Sequence, residues 1–197
     1  MPSFPLAPGS TIGILGGGQL GRMLAMAAAR LGFDVAVLER EADSPAGRAA
    51  AQLIVADYDD EAGLAKLAGL TDLVTYEFEN VPAASVEWLA AHGVEVAPAA
   101  TALAVAQDRV AEKTFLNAHG APTVSFAAAD SAEAAVEAVA QIGAPALMKT
   151  RREGYDGKGQ RWVEHAADAA RIFTELGGVP VIVEAPADFV RELSIIA

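Results

Sequence analysis

Twelve residues, Lys149 to Gln160 (KTRREGYDGKGQ), concentrate the groups in this chain that could handle an anion. Three are glycines (Gly154, Gly157, Gly159) and four are cations (Lys149, Arg151, Arg152, Lys158). Glycine lets a backbone take positive φ and approach a ligand closely. Successive N–H groups in such a loop form an anion-binding concavity, and lysine adds a compact point charge. A chain of net charge −12 has no general reason to gather four of its fourteen cations there. The apolar run Ala146-Leu147-Met148 just before it reads as a buried strand. The pattern predicts a phosphate-binding flap; the plainer reading is a basic hairpin turn at the surface.

Two further constellations carry possible chemistry. Gly16-x-Gly18-x-x-Gly21 follows an apolar run and opens a helical pattern, with Glu39 ending the next strand. By rule this is a dinucleotide fingerprint, acidic residue included. The same geometry frees a helix N-terminus for any anion, and Gln19 projects from the turn toward a small substrate. Without a ligand it is only a tight turn. In the second constellation, Thr75-Tyr76-Glu77-Phe78-Glu79-Asn80-Val81-Pro82 follows another strand. That places Glu77 and Asn80 near the glycine turn, at the crevice where parallel sheets bind ligands. The alternative is a solvated turn with Asn80 or a neighbour capping the next helix.

The elements that must position these groups follow from periodicity. Strands are expected at Thr11–Leu15, Asp34–Leu38, Gln52–Ala56, Asp72–Tyr76 and Val94–Ala97. Between them lie helices through Arg30 (ended by Gly32), over Asp60–Ala68, and over Pro82–Ala91. Strand, glycine loop, helix, strand is a βαβ unit, so this half is a doubly wound parallel domain. Alanine-rich 98–106 marks a boundary. Beyond it the order changes: a helix capped by Asp108, a strand Thr123–Ala127, and a helix opened by a capping box at Asp130 and Glu133. Then come strand Ala146–Lys149, the loop, strand Arg161–Val163, helix Ala166–Leu176, and strands Val181–Glu184 and Val190–Ile196. This mixture reads as α+β. Ending inside an apolar strand leaves an unpaired edge, so the sequence is expected to be the front of a longer protein.

Composition narrows the function. The 197 residues are 53% hydrophobic, enough for a core. Twenty-six acids against fourteen Lys and Arg disfavour nucleic acid and membrane surfaces. With no cysteine and three scattered histidines, thiolate and histidine metal sites are not expected. No leader or spanning run is seen in these residues, which points to a cytoplasmic protein.

Together GILGGGQLGRML, YEFENVP, Gln107-Asp108-Arg109, LMKTRREGYDGKGQ and VIVEAPADFVRELSII resemble the 5-(carboxyamino)imidazole ribonucleotide synthases. These are ATP-grasp ligases of de novo purine synthesis, and the motifs span residues 12–196. The resemblance implies an α/β chain in two parts. Residues 1–103 would form a Rossmann-like pre-ATP-grasp domain that binds 5-aminoimidazole ribonucleotide, and residues 104–197 an incomplete α+β ATP-grasp domain. Gly18, Gln19, Leu20, Glu77 and Asn80 would meet the ribonucleotide. Arg109 and Lys149 would contact the ATP triphosphate, under a flap of Gly154, Tyr155, Asp156, Gly157, Lys158, Gly159 and Gln160. Tyr155, Asp156 and Lys158 would also face the acceptor as catalytic groups. The turn Glu184, Ala185, Pro186, Ala187 would hold the adenine edge and Glu192 the ribose. Bicarbonate is the third substrate, a homodimer the assembly, and Mg2+ the cofactor, with its ligands expected beyond residue 197. On that reading these residues alone would not turn over. Two other functions stay open: a nicotinamide-dependent oxidoreductase using the Gly16 loop, and a non-catalytic ATP-binding module.

Overall fold

The computed structural model describes residues 5–77, 79–154 and 157–194. It divides into two compact units, Met1–Ala104 and Val105–Ala197.

The first unit is built on five parallel strands: β1 (Thr11–Leu15), β2 (Asp34–Glu39), β3 (Gln52–Val55), β4 (Leu73–Tyr76) and β5 (Glu95–Val96), in the order β3-β2-β1-β4-β5. The central strands β1 and β2 are mostly buried, which is why each reads as a short continuous apolar run rather than an alternation. Helix α1 (Gln19–Arg30) covers one face, where Ala25 packs with Ile14, Val35, Val37 and Ala46. Helices α2 (Glu61–Leu70) and α3 (Ala83–Ala91) cover the other, where Leu64, Leu67, Val86 and Leu89 meet Leu15, Leu38 and Val74. Leu103 of α4 (Ala100–Ala106) joins that core. Strand order reverses between β1 and β4, so the loops after these two strands flank the ligand crevice of such sheets. Asp60 caps α2 by accepting from Ala62 and Gly63, and Gly32, at φ 84°, closes α1 as a C′ glycine.

The second unit has four strands in the order β6-β9-β7-β8: β6 (Phe126–Ala129), β7 (Ala146–Thr150), β8 (Gln160–Val163) and β9 (Val181–Glu184), all antiparallel to their neighbours. On one face Ala146, Met148, Val181 and Val183 pack with Ala135, Ala138 and Val139 of α6 (Ala132–Ile142) and Ile172 and Phe173 of α7 (Ala169–Glu175). The strand period of two sends Leu147, Lys149, Ile182 and Glu184 to the opposite face. Helix α5 (Arg109–Ala118) supplies side chains to that face.

Three sequence expectations are corrected here. Helix α6 is capped by Ser131, which accepts from Ala134, and not by Asp130; the shorter side chain one position later has the geometry a cap needs. Strand β6 starts at Phe126, three residues after the expected Thr123, because its ladder with β9 runs from Phe126↔Glu184 to Ala129↔Val181. The expected strand Val190–Ile196 is absent over its described residues 190–194, which pair with no strand and leave Val190 99% exposed. An apolar alternation alone makes no strand without a ladder partner. Among the described residues no helix is long and apolar enough to cross a membrane.

Candidate functional site

In the first unit the glycine loop carries anions of its own. Gly16 turns the chain at φ 109°, a conformation that favours glycine. The Gly17 N–H then donates to Glu39 Oε2, which also accepts from the Tyr58 hydroxyl at 2.7 Å. The Gly18 and Gly21 N–H groups donate to the two oxygens of Glu77, at 2.8 and 3.2 Å. Glu77 thus caps α1 from the end of the neighbouring strand, where a carboxylate complements the positive helix terminus. A Cβ at Gly18 would stand 2.6 Å from Glu77 Oε1, and one at Gly17 2.5 Å from Glu39 Cγ. Glycine at these positions therefore serves the approach of the protein's own carboxylates.

This geometry weighs against the dinucleotide reading. The amides that would hold a pyrophosphate are given to Glu77, and the acid that would hold a ribose is bonded to Gly17 and Tyr58. Burial first, and then the bond to Glu39, push the Tyr58 phenol above the usual tyrosine range. Burial likewise raises Tyr76 at the end of β4. Gln19, Leu20 and Asn80 are exposed and Glu77 is half-buried. Helix α3 begins at Pro82 with no side-chain cap, so Asn80 does not cap it.

In the second unit, β7 and β8 form an antiparallel hairpin and residues 151–159 are its connection. Thr150 N–H donates to Gly159 O at 2.9 Å, closing the stem. Glu153 (φ 58°), Gly154 (φ 80°), Gly157 (φ 77°) and Gly159 (φ 71°) are all left-handed. A Cβ on Gly154 would lie 2.7 Å from Lys158 O. The glycines are thus required by the tightness of the turn itself. Tyr155 and Asp156 lie outside the described residues.

Most cations of this stretch already have partners. Arg151 donates to Asp108 at 2.8 and 3.2 Å and lies 3.4 Å from Asp130, and Arg152 is 3.7 Å from Asp108. Asp108 is buried and also caps α5 through Val110 and Ala111. Burial by itself would raise its carboxyl. The bonds from Arg151 and from the two backbone N–H groups outweigh burial and hold the carboxyl below the usual range. Arg109 places its guanidinium on three carbonyls of the hairpin connection: Thr150 (2.8 Å), Glu153 (2.7 Å) and Gly154 (2.8 Å). Its own N–H donates to Arg151 O at 3.0 Å. In this structure it fixes the root of the loop, using three of the five donors a guanidinium has.

Lys149 and Glu184 form the centre of the sheet face that α5 meets. Leu147 pairs in register with Glu184, so Lys149, two residues on, lies diagonal to it on the same face. Lys149 Nζ donates to Glu184 Oε2 at 2.8 Å. Ala185 N–H donates to Ser125 O at 2.9 Å, which pins the start of the 184–187 turn. Ala185 is half-buried, while Pro186, Ala187 and Glu192 are exposed. The structure thus assembles Arg109, Lys149, Gly154 and Gly157–Gln160 around one hairpin, with Glu184 beside it. Glu192 carries no described contact to that group. Sequence reasoning missed Asp108 as a charge hub and Lys113, whose Nζ is 3.4 Å from Glu184 Oε1. Lys113 stands four residues after Arg109 on α5, a spacing that puts both on one helix face. Among the described residues no three His, Asp or Glu side chains gather closely enough to hold a metal ion.

Comparison with known proteins places both units. The family model described as "Ribonucleotide synthetase preATP-grasp domain" matches residues 9–107, and the ATP-grasp domain model matches 114–197. The N5-carboxyaminoimidazole ribonucleotide synthase of Brucella melitensis is 46% identical over 100% of this chain and 55% of its own length. The structure of N5-carboxyaminoimidazole synthetase from Staphylococcus aureus complexed with ADP superposes with a TM-score of 0.86 at 36% identity, covering 92% of this chain and 48% of that one. That of the Aspergillus clavatus synthase in complex with ADP and 5-aminoimidazole ribonucleotide gives 0.82 at 27% identity, covering 93% and 48%. The chain therefore spans about half the length of the relatives it matches. With a parallel glycine-loop domain followed by the first part of an α+β ATP-grasp domain, it belongs to the ribonucleotide synthetase preATP-grasp family and is similar to N5-carboxyaminoimidazole ribonucleotide synthases.

Proposed function

We propose that this chain supplies ribonucleotide- and ATP-binding residues of an N5-carboxyaminoimidazole ribonucleotide synthase. The observation that carries the reading is the 46% identity to the Brucella enzyme across the whole chain. Solved relatives whose complexes hold ADP and 5-aminoimidazole ribonucleotide support it. Bicarbonate attacks the γ-phosphoryl group of ATP, giving carboxyphosphate and ADP. The amine of 5-aminoimidazole ribonucleotide then attacks the carboxyl carbon, a C–N bond forms, and phosphate leaves. Such a sequence asks for positioning and charge neutralisation rather than a protein nucleophile.

In this reading the domain of residues 1–103 holds the ribonucleotide. Gly18, Gln19, Leu20, Glu77 and Asn80 line its crevice. Glu77 spends lone pairs on Gly18 and Gly21 and keeps others for donor groups of the ligand. In the domain of residues 104–197, Lys149 turns to the phosphates and Arg109 sets the loop root. Gly154 to Gln160 close over them, with Tyr155, Asp156 and Lys158 toward the acceptor. Glu184 to Ala187 present backbone groups to adenine, and Glu192 meets the ribose. Among the described residues no His, Asp or Glu cluster forms a magnesium site, so the ligands for Mg2+ would come from other residues. The reading further takes the enzyme to be cytoplasmic and a homodimer.

The deciding experiment measures ADP release by the full-length protein with bicarbonate present. Release that depends on 5-aminoimidazole ribonucleotide supports the synthase. ATP binding without turnover would favour a non-catalytic module instead. NADH titration should show no binding in the micromolar range, since Glu39 and Glu77 occupy the loop a dinucleotide needs.

A further inference from the structure

Glu184 is 4% exposed, and both of its oxygens face ammonium groups carried by other elements. Lys149 of β7 makes an aligned hydrogen bond to Oε2 at 2.8 Å. Lys113 of α5 stands 3.4 Å from Oε1, an ion pair by distance. Yet Oε1 accepts no hydrogen bond among the described residues. One lysine is therefore fully engaged and the second waits at the opposite oxygen. The strand neighbours in register with Glu184 are Phe126 and Leu147, both uncharged.

One buried carboxylate needs one aligned cation. A second, partly buried lysine is a surplus charge unless the first has to leave. If Lys149 turns to a phosphoryl oxygen, Glu184 would be stranded without a partner in a poorly solvated place, which is strongly unfavourable. Lys113 removes that obstacle by closing the short gap to Oε1. We propose that Lys113 is a relay counter-ion, which takes over Glu184 when Lys149 swings to the nucleotide and returns it when the nucleotide leaves. Glu184 then keeps a cationic partner throughout, and the adjoining 184–187 turn keeps its place on Ser125. Lys113 is a positioning residue, since it acts on the nucleotide through Glu184 and Lys149. The nucleotide half of this inference rests on the function proposed above; the sharing of Glu184 by two lysines is a property of the free protein.

The test has a ligand-free arm and a nucleotide arm. Thermal unfolding is measured for Lys113→Met, Lys149→Met, the double variant, and the double variant with Glu184→Gln. Each single change should lower Tm slightly, because the remaining lysine pairs with Glu184. The double change should lower it by more than the sum of the two, and Glu184→Gln should restore part of that loss. Additive losses, or a double variant no worse than Lys149→Met, would overturn the relay. In the second arm ADP is titrated calorimetrically. Lys113→Met should weaken ADP by at least about tenfold, since Glu184 is then left buried without a partner when Lys149 turns away. Lys113→Arg should restore the affinity. Unchanged affinity in Lys113→Met overturns the proposal. If the unaltered chain binds no ADP, the nucleotide reading fails, and the stability cycle still decides whether the two lysines share Glu184.

Discussion

Both units place carboxylates where an anion was expected to bind, but on different groups. In the first unit Glu39 and Glu77 sit on backbone amides at the mouth of a parallel sheet. In the second, Asp108 and Glu184 sit on guanidinium and ammonium groups around an antiparallel face. Amide-bound carboxylates are fixed by strand ends and by glycines that admit no Cβ, so that site is rigid and already charged. Pairs between side chains can exchange partners, because lysine carries its charge on a flexible stem. The first arrangement shapes a site; the second lets a site change state.

The sharpest way to break this contrast is at the charge hub. Asp108→Ala removes a buried partner of Arg151 and the cap of α5 together, and should cost about 4 kcal/mol in urea unfolding. Asp108→Asn keeps a capping oxygen and should cost less. The same residue gives the second unit an acid sensitivity. The Asp108 carboxyl is held below its usual value. Its stabilising contribution is therefore complete above the unfolded value of about 3.9. It is lost as pH falls through the lower folded value. Acid unfolding should be shallower in Asp108→Asn over that window, and a profile identical to the parent would refute the assignment.

Next in size is a change in the rigid unit. Gly21→Ala brings a Cβ within 2.8 Å of Gly16 O and 3.2 Å of Ala46 Cβ. A loss of about 2 kcal/mol is expected in chemical denaturation, since neither neighbour can retreat far. Glu77→Gln retains a hydrogen-bond acceptor for α1 but drops the charge, and should cost about 1 kcal/mol, measurable by the same method. If it costs nothing, the carboxylate is not what secures the helix. The smallest effect belongs to Tyr58→Phe, about 0.5 to 1 kcal/mol for a lost hydrogen bond to Glu39. Because the Tyr58 phenol is raised, its share of stability is intact below about pH 10 and lost as pH climbs toward the folded value. Ultraviolet titration of Tyr58→Phe against the parent should show the late-ionising phenol disappear.

The sequence showed more of the scaffold than of the charges. The βαβ order was legible because Thr11–Leu15 and Asp34–Leu38 are short apolar runs separated by a helix whose start and stop are both glycines. The cap at Asp108 was readable from local spacing. Ser131 was not, since Asp130 beside it has an equally suitable side chain and only backbone geometry separates the two. The cations at 149–158 gave the right place but an incomplete account of it. Their partners Asp108, Asp130 and Glu184 lie 20 or more residues away in sequence, where no periodicity reaches. Lys113 carried one faint signal, its spacing from Arg109. Its meaning came only from Glu184, brought within reach by strand β9.

The pairing of Lys149, Arg151 and Arg152 with acids of the same chain also bears on ionic strength. A cationic patch open to solvent gathers mobile ions and releases them when a polyanion arrives, so its affinity falls steeply with salt. Here the neutralising charges are covalently attached and cannot diffuse away. An anion that recruits Lys149 displaces a carboxylate, and few small ions are set free. Partly buried pairs are also screened less than exposed ones. Attraction of anions to this hairpin should therefore be weak at long range and nearly flat against added salt, governed by contact geometry and not by the chain's overall field.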